Sequence, residues 1–255
     1  MFDLLLDPKS KRKGVVFPRY HAKSTICTFL LPMHTIAYSS MDEKEYIVII
    51  SETQEQSVNF LSSIKLAIEE NEIFRYYFGD LKGPVWREDE IITANGVRIK
   101  AIGTRQRIRG TNYQTKRPTL IILDDFESEL NSWTEESRNR NKDWISGAVE
   151  PSLDKEGTLV ATGTIVHPDA FLPTIIEDPE FDTMMHKAIE MGKPIWPQYY
   201  DLAYFEKKRR SYEARGQLHV YYMEYFNEPI NPEDLTFKQE DFQHWEGQFV
   251  VLEGR

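Results

Sequence analysis

Three short segments carry side chains whose types and spacing could do chemistry. The first is Phe17-Pro18-Arg19-Tyr20-His21-Ala22-Lys23-Ser24-Thr25, set between a β-rich run and an apolar stretch that begins at Ile26. A loop that cradles phosphate needs backbone N–H groups at a helix N-terminus, a Lys for the β- and γ-phosphates and a hydroxyl for Mg²⁺. Lys23 and Ser24 fit the last two tasks, while Phe17 and Ala22 stand where such loops usually have glycine. The competing reading is a strand-to-helix turn with an ordinary surface lysine. The second segment is Leu120-Ile121-Ile122-Leu123-Asp124-Asp125, an apolar run that ends in two carboxylates. At the C-terminal edge of a sheet, where open α/β sheets bind ligands, Asp124 could hold Mg²⁺ and Asp125 could orient and deprotonate a water. A helix N-cap would also explain one Asp, but not two. Glu127 and Glu129 rival Asp125 as the base. The third segment, Ala161-Thr162-Gly163-Thr164, is either a γ-phosphate reporter or a plain strand end with a Gly turn.

These residues need a scaffold, and the chain supplies one by alternating β-rich and helical stretches. Residues 14–17 and 45–51 read as strands, the latter apolar enough to be buried on both faces. Ser51 or Thr53 then opens a helix, with Glu52 and Glu55 near its first turn and Val58, Leu61, Ile64 and Ile68 at helical spacing. Asn95-Gly96 marks a hairpin between residues 90–93 and 97–102. Residues 119–123 and 158–162 read as buried strands, 133–149 as one polar-faced helix and 201–225 as a charged helical stretch. A Pro-containing connector, Asn227 to Pro232, leads to the apolar run Phe249-Val250-Val251-Leu252, which resembles the start of another strand. Such alternation implies an α/β fold whose mainly parallel sheet is covered by helices on both faces.

Composition narrows the functional class. The 255 residues carry 41 acids against 31 Lys and Arg, a net charge of -10, which argues against a protein that coats nucleic acid generally. Locally the balance reverses. Residues 98–117 hold Arg98, Lys100, Arg105, Arg107, Arg109, Lys116 and Arg117 without one acid, either as a solvated face or as a place to hold phosphate. The single Cys27 points to a reducing compartment and has no partner for a disulfide or a zinc site. No apolar run approaches the roughly 18 residues of a membrane span. The six His show no metal spacing, and Trp133, Trp144, Trp196 and Tyr221-Tyr222 read as packing residues. Lys207, Lys208, Arg209 and Arg210 suit DNA contact or a solvated helix face about equally.

Taken in order and with their spacing, these segments resemble the ATPase domain of a tailed-bacteriophage large terminase, the DNA-packaging motor. The resemblance rests on Pro18, Arg19, Lys23, Ser24 and Thr25, on Ser51, Thr53 and Gln56, and on the turn Ile108-Arg109-Gly110. It continues through Arg117-Pro118 into Leu120–Asp125, through Thr162-Gly163-Thr164, and into Trp196-Pro197 and Tyr221, Glu224, Tyr225, Asn227, Glu228 and Pro229. It implies a RecA-like P-loop NTPase core of the ASCE type at residues 1–195. A helical subdomain and linker would span 196–235, and 236–255 would lead toward a nuclease domain absent from this chain.

The resemblance also implies roles. The loop Pro18, Arg19, Tyr20, His21, Ala22, Lys23, Ser24 and Thr25 would bind ATP, with Mg²⁺ on Ser24 (or Thr25) and Asp124. Asp125 would be catalytic, although the family more often has Glu there. Thr162, Gly163 and Thr164 would couple hydrolysis to movement. Arg19 would act as an arginine finger within its own subunit and Arg109 as one across subunits, with Arg105 and Arg107 the nearest alternatives. The family's glutamine-containing adenine contact precedes the loop, and Lys23 lies too near Met1 for it. The implied partners are double-stranded viral DNA, the portal protein, the small terminase subunit and further copies in a pentameric ring on the procapsid, the isolated chain being a monomer. The implied setting is the host cytoplasm, transiently at the portal and outside the mature virion. The alternative is a nucleotide-binding assembly module with little turnover.

Overall fold

The computed structural model describes residues 1–40, 42–108, 113 and 116–229. The expected finger Arg109, its neighbour Gly110 and everything from residue 230 onward, including the run at 249–252, lie outside the described residues.

The chain opens with α1 (Phe2–Leu6) and β1 (Arg12–Val16), then a π-helical turn (Thr25–Leu30) that runs into α2 (Leu31–Tyr38). Next come β2 (Tyr46–Ser51), α3 (Gln54–Glu70), α4 (Glu72–Phe78), β3 (Val85–Trp86), β4 (Glu90–Ile92), β5 (Arg98–Gly103) and β6 (Leu120–Asp124). After α5 (Glu129–Ser132) and α6 (Glu135–Trp144) a second π turn (Ile145–Val149) precedes β7 (Thr158–Gly163), α7 (Phe171–Glu177) and β8 (Asp182–Met185). Two-residue strands β9 (Ile189–Glu190) and β10 (Lys193–Pro194) form a small ribbon before α8 (Leu202–Glu213) and α9 (Leu218–Phe226).

Eight strands form one sheet in the order β3-β4-β5-β2-β6-β7-β1-β8. From β5 to β8 all neighbours are parallel; β3 and β4 pair antiparallel at one edge. Because strand side chains alternate between faces, each central strand feeds two cores. Ile47, Ile49, Ile122 and Val160 pack with Leu61, Ile64 and Ile68 of α3. Val48, Ile50, Ile121 and Leu123 pack in a second cluster with Ile145, Val149, Phe171 and Ile175. The unbroken apolar runs in the sequence are what a sheet covered on both faces requires. A third, smaller cluster of Ala188, Phe205, Tyr221 and Tyr225 holds α8 and α9 together.

Thr53, not Ser51, caps α3: its Oγ1 accepts from the Gln56 amide at 3.3 Å, and the Gln56 side chain accepts from the Thr53 amide at 3.1 Å. The Ser-x-Thr-x-x-Gln spacing therefore includes a reciprocal helix cap. The expected helix at 133–149 runs unbroken from Glu135, which Thr134 caps, and widens into the π turn at Ile145–Val149 just before Pro151. One expected long helix is broken. Residues 201–225 divide at Gly216, whose positive φ of 68° ends the first helix segment. Trp133 is 79% exposed, against the expectation that it packs.

The basic block is not one solvated face either. Arg98 pairs with Glu90 at 2.7 Å over the Tyr46 ring, Arg117 donates to the Pro151 carbonyl, and Arg105 donates to Asn141 Oδ1 and the Ser137 carbonyl. On α8, Arg209 and Arg210 are paired with Glu206.

Candidate active site

The sheet order places β7 between β1, which feeds the Lys23 loop, and β6, which carries the paired acids. All three strands are parallel, so the loop, the acids and the Thr162-Gly163-Thr164 segment emerge at one C-terminal edge. The loop is tight. Tyr20 and Ala22 sit at φ 64° and 59°, the left-handed region that side chains other than glycine and asparagine rarely occupy. Ala22 thus keeps the backbone shape of the missing glycine at a cost of about 1–3 kcal/mol, strain of the kind that persists at functional sites. Lys23 follows, 8% exposed, and Ser24 stands just before the π turn.

At the end of β6 the two acids diverge. Asp124 is buried; its Oδ1 accepts from Ser24 Oγ at 3.0 Å and its Oδ2 from Thr28 Oγ1 at 2.6 Å. Thr28 was not singled out by sequence, although it lies four residues after Ser24 and so shares its helical face. Asp125 is half exposed, with φ 43°, its amide donating to the Thr162 carbonyl at 3.0 Å. Its Oδ2 lies 3.6 Å from Lys23 Nζ. A cavity of about 360 Å³ beside them is lined by Arg19, Lys23, Gln56, Asp125, Thr164 and Glu224, among others. The structure brings together Lys23, Ser24, Asp124, Asp125 and Thr164 and packs Gly163 against Asp125: a Cβ on Gly163 would lie 3.0 Å from Asp125 Oδ1 and 2.9 Å from Leu172 Cδ1.

Other candidates have different surroundings. Both oxygens of Glu127 accept from the Phe171 amide, at 3.0 and 2.9 Å, at the first turn of α7. Burial raises the pKa of its carboxyl group. Glu129 is exposed at the cavity rim. Arg19 reaches not into the cavity centre but to α9: its guanidinium meets Glu224 Oε1 at 2.6 Å, and its amide donates to the Glu224 carbonyl at 2.8 Å. His21 turns into an aromatic group of Tyr200, Phe205 and Trp196. Thr162 is fully buried in β7, two residues before Thr164 at the cavity wall. A larger cavity of about 540 Å³ opens at the opposite, N-terminal ends of the strands, where Lys13 Nζ donates to the Leu5 and Asp7 carbonyls.

The electrostatics center on Asp124. Burial, then the neighbouring Asp125, push its carboxyl up to about 7; Thr28, Lys23 and Ser24 oppose this only in part. A buried carboxylate met by hydroxyl protons, with a second hydroxyl group beside it, is a hard-oxygen donor set that suits Mg²⁺, which typically takes one or two carboxylates and completes its shell with phosphate and water. The same displacement has a consequence for stability. Below the ordinary carboxylate range, Asp124 is neutral in both folded and unfolded chains and contributes nothing. Between about pH 4 and 7 the unfolded chain releases this proton while the fold retains it, so stability falls as pH rises through that window. Asp124→Asn should therefore melt about 5 °C or more above the parent at pH 8 without divalent cation or nucleotide, and alongside it at pH 4. Thermal denaturation at the two pH values checks this, and an equal shift at both would disprove it.

No protein-family model matches the sequence, and no curated relative does. Solved structures do match the fold. The large terminase ATPase domain of Thermus phage P74-26 aligns with a TM-score of 0.55 at 13% identity, covering 87% of this chain and 89% of that one. The bacteriophage HK97 large terminase aligns at 0.54 and 14% identity, covering 87% of this chain and 47% of the other. The large terminase of a thermophilic bacteriophage, in complex with ADP, aligns at 0.53 and 10% identity, with 87% and 49% covered. This chain spans about half the length of those last two. The likeness shows the fold: a RecA-like α/β domain of the kind found in phage large terminase ATPase domains.

Proposed function

We propose that this chain is the ATP-hydrolysing motor domain of a viral large terminase, driving double-stranded DNA into procapsids. One observation carries the reading: Lys23 Nζ lies 3.6 Å from Asp125 Oδ2, and Ser24 Oγ 3.0 Å from Asp124 Oδ1, across a strand that separates loop from acids. A triphosphate laid along the loop exchanges the Lys23–Asp125 contact for Lys23 on the β- and γ-phosphate oxygens. Asp125, released, accepts a proton from a water whose oxygen bonds to the γ-phosphorus as the bond to the bridging oxygen breaks. Ser24 and Asp124 hold Mg²⁺, which when bound offsets charge on the phosphate oxygens. Arg19, leaving Glu224, adds a guanidinium over the transferring group. Thr162, Gly163 and Thr164 relay phosphate loss toward α8 and α9. Arg109, outside the described residues, serves a neighbouring subunit in a ring on the portal, with the small terminase subunit and DNA as partners and an endonuclease in the remainder of the protein.

Malachite-green detection of phosphate from ATP and Mg²⁺, with and without double-stranded DNA, tests the reading. A second reading is favoured by one feature: Arg19 and Lys23 are both engaged by acids of the chain itself. A nucleotide-binding assembly module would bind ATP in calorimetry and release no phosphate even with DNA and partners supplied. Gly163→Ala tests the base directly, because the added methyl would meet Leu172 Cδ1 at 2.9 Å and Asp125 Oδ1 at 3.0 Å and would move the carboxylate while the Lys23 side chain itself is unchanged. Turnover should fall by about tenfold to a hundredfold, with ATP affinity unchanged.

A further inference from the structure

The two oxygens of Asp124 are held by different groups at different depths. Oδ1 accepts from Ser24 Oγ at 3.0 Å, and Ser24 is half-buried beside the loop. Oδ2 accepts from Thr28 Oγ1 at 2.6 Å, and Thr28 is fully buried inside the π turn. A hydroxyl costs free energy to bury unless it is bonded. The residues around it, Ile26, Cys27, Phe29 and Leu30, are apolar, so the bond to Asp124 accounts for a hydroxyl at this place.

Two further hydroxyls flank the carboxylate without holding it. Asp124 pairs in register with Thr162 of β7, and Ser51 follows the Ile50–Leu123 pair of β2, so one stands on each side along the row. Both are buried, and neither Ser51 Oγ nor Thr162 Oγ1 has a hydrogen-bond partner among the described residues. The orientation of Asp124 therefore rests on Ser24 at one oxygen and Thr28 at the other. A carboxylate fixed this way offers one oxygen on the loop side and keeps the second engaged within the fold. Cations differ in what they ask of it. Ca²⁺ is the larger, takes more oxygens in a loose shell and readily grips both oxygens of one carboxylate. Mg²⁺ demands a small, regular octahedron, filled mostly by water and phosphate around one or two carboxylates.

Resting on the nucleotide reading above, we propose that Thr28 is a positioning residue that reserves one oxygen of Asp124 for the cation accompanying the nucleotide and withholds the other, and that it thereby sets a preference for Mg²⁺ over Ca²⁺. Thr28 acts through Asp124, as the hydrogen-bond partners of metal-ligating groups generally do, by fixing which face of the ligand is offered.

Calorimetric titration with a non-hydrolysable ATP analogue, in saturating Mg²⁺, saturating Ca²⁺ or EDTA, tests this without reference to turnover. The parent should bind the analogue about tenfold or more tighter with Mg²⁺ than with Ca²⁺. Thr28→Val, which keeps the shape and removes the hydroxyl, should lose about 10–100-fold of the affinity seen with Mg²⁺. It should lose less with Ca²⁺, because the freed oxygen can join the first on the larger ion, and should bind as the parent does in EDTA. Thr28→Ser, which keeps the hydroxyl, should retain the parental ratio. A merely structural role would move both cations by the same factor. That result overturns the proposal, as do unchanged affinities in folded Thr28→Val, a Thr28→Ser that behaves like Thr28→Val, or a parent that binds equally with the two cations. Circular dichroism reports folding; Thr28→Ala gives the same reading if Thr28→Val does not fold, and the parental ratio decides if neither does. Analogue binding without cation preference removes only the role of Thr28, whereas no binding under any of the three conditions removes the nucleotide reading with it.

Discussion

Asp125→Asn should retain ATP binding and lose phosphate release by about 10²–10⁴-fold, the range a positioned general base supplies. The substitution keeps shape, the backbone hydrogen bond to the Thr162 carbonyl and contact with Gly163, and removes the capacity to take a proton. It also removes the charge opposite Lys23. Ground-state affinity for ATP should accordingly hold or rise, since no internal carboxylate competes with the triphosphate for that ammonium. Single-turnover phosphate release alongside calorimetry separates the two effects. A variant with parental turnover would assign the base elsewhere, with Glu129 an exposed acid at the cavity rim.

Lys23→Ala should lower turnover by about 10²–10³-fold, as the loss of one preorganised charge donor does, and weaken ATP binding as well. Its signature is the pairing with Asp125. If both groups serve one transition state, Lys23→Ala/Asp125→Asn should be little slower than the worse single variant, because groups that act as a unit are not additive. Strict multiplication of the two losses would mean that the 3.6 Å contact is incidental to catalysis. Circular dichroism on each variant excludes unfolding as the cause. Removing Lys23 also strips Asp124 of one of the influences that favour its ionised form, which should displace that carboxyl further upward.

Much of this site could be read from the chain because its parts are local in sequence. A β-rich run, a lysine and a hydroxyl in consecutive positions, and two acids after four apolar residues, each depend on neighbours along the backbone. The sheet followed for the same reason: β2, β6 and β7 are unbroken apolar runs, and Asn95-Gly96 turns β4 into β5 as such a pair should. What escaped depends on distant residues. Arg19 meets Glu224 across 205 positions, and no spacing announces that contact. Glu127 accepts from the Phe171 amide, 44 positions away, and nothing along the chain signals that bond. The edge strand β8, only four residues with mixed exposure, has no periodicity of its own and exists because β1 offers it a ladder. The break at residue 216 is a left-handed turn inside a stretch whose polarity still suits a helix.

The strand lying between loop and acids has a mechanical corollary. Neighbouring strands keep a pitch of about 4.8 Å, so the backbones of β1 and β6 are held roughly 10 Å apart by β7 as by a machinist's gauge block. Two ladders would have to shear before that span could change. Fine adjustment is therefore left to the tips, where rotation of Lys23 and Asp125 about their own bonds sets the closing distance, and the frame beneath them stays still.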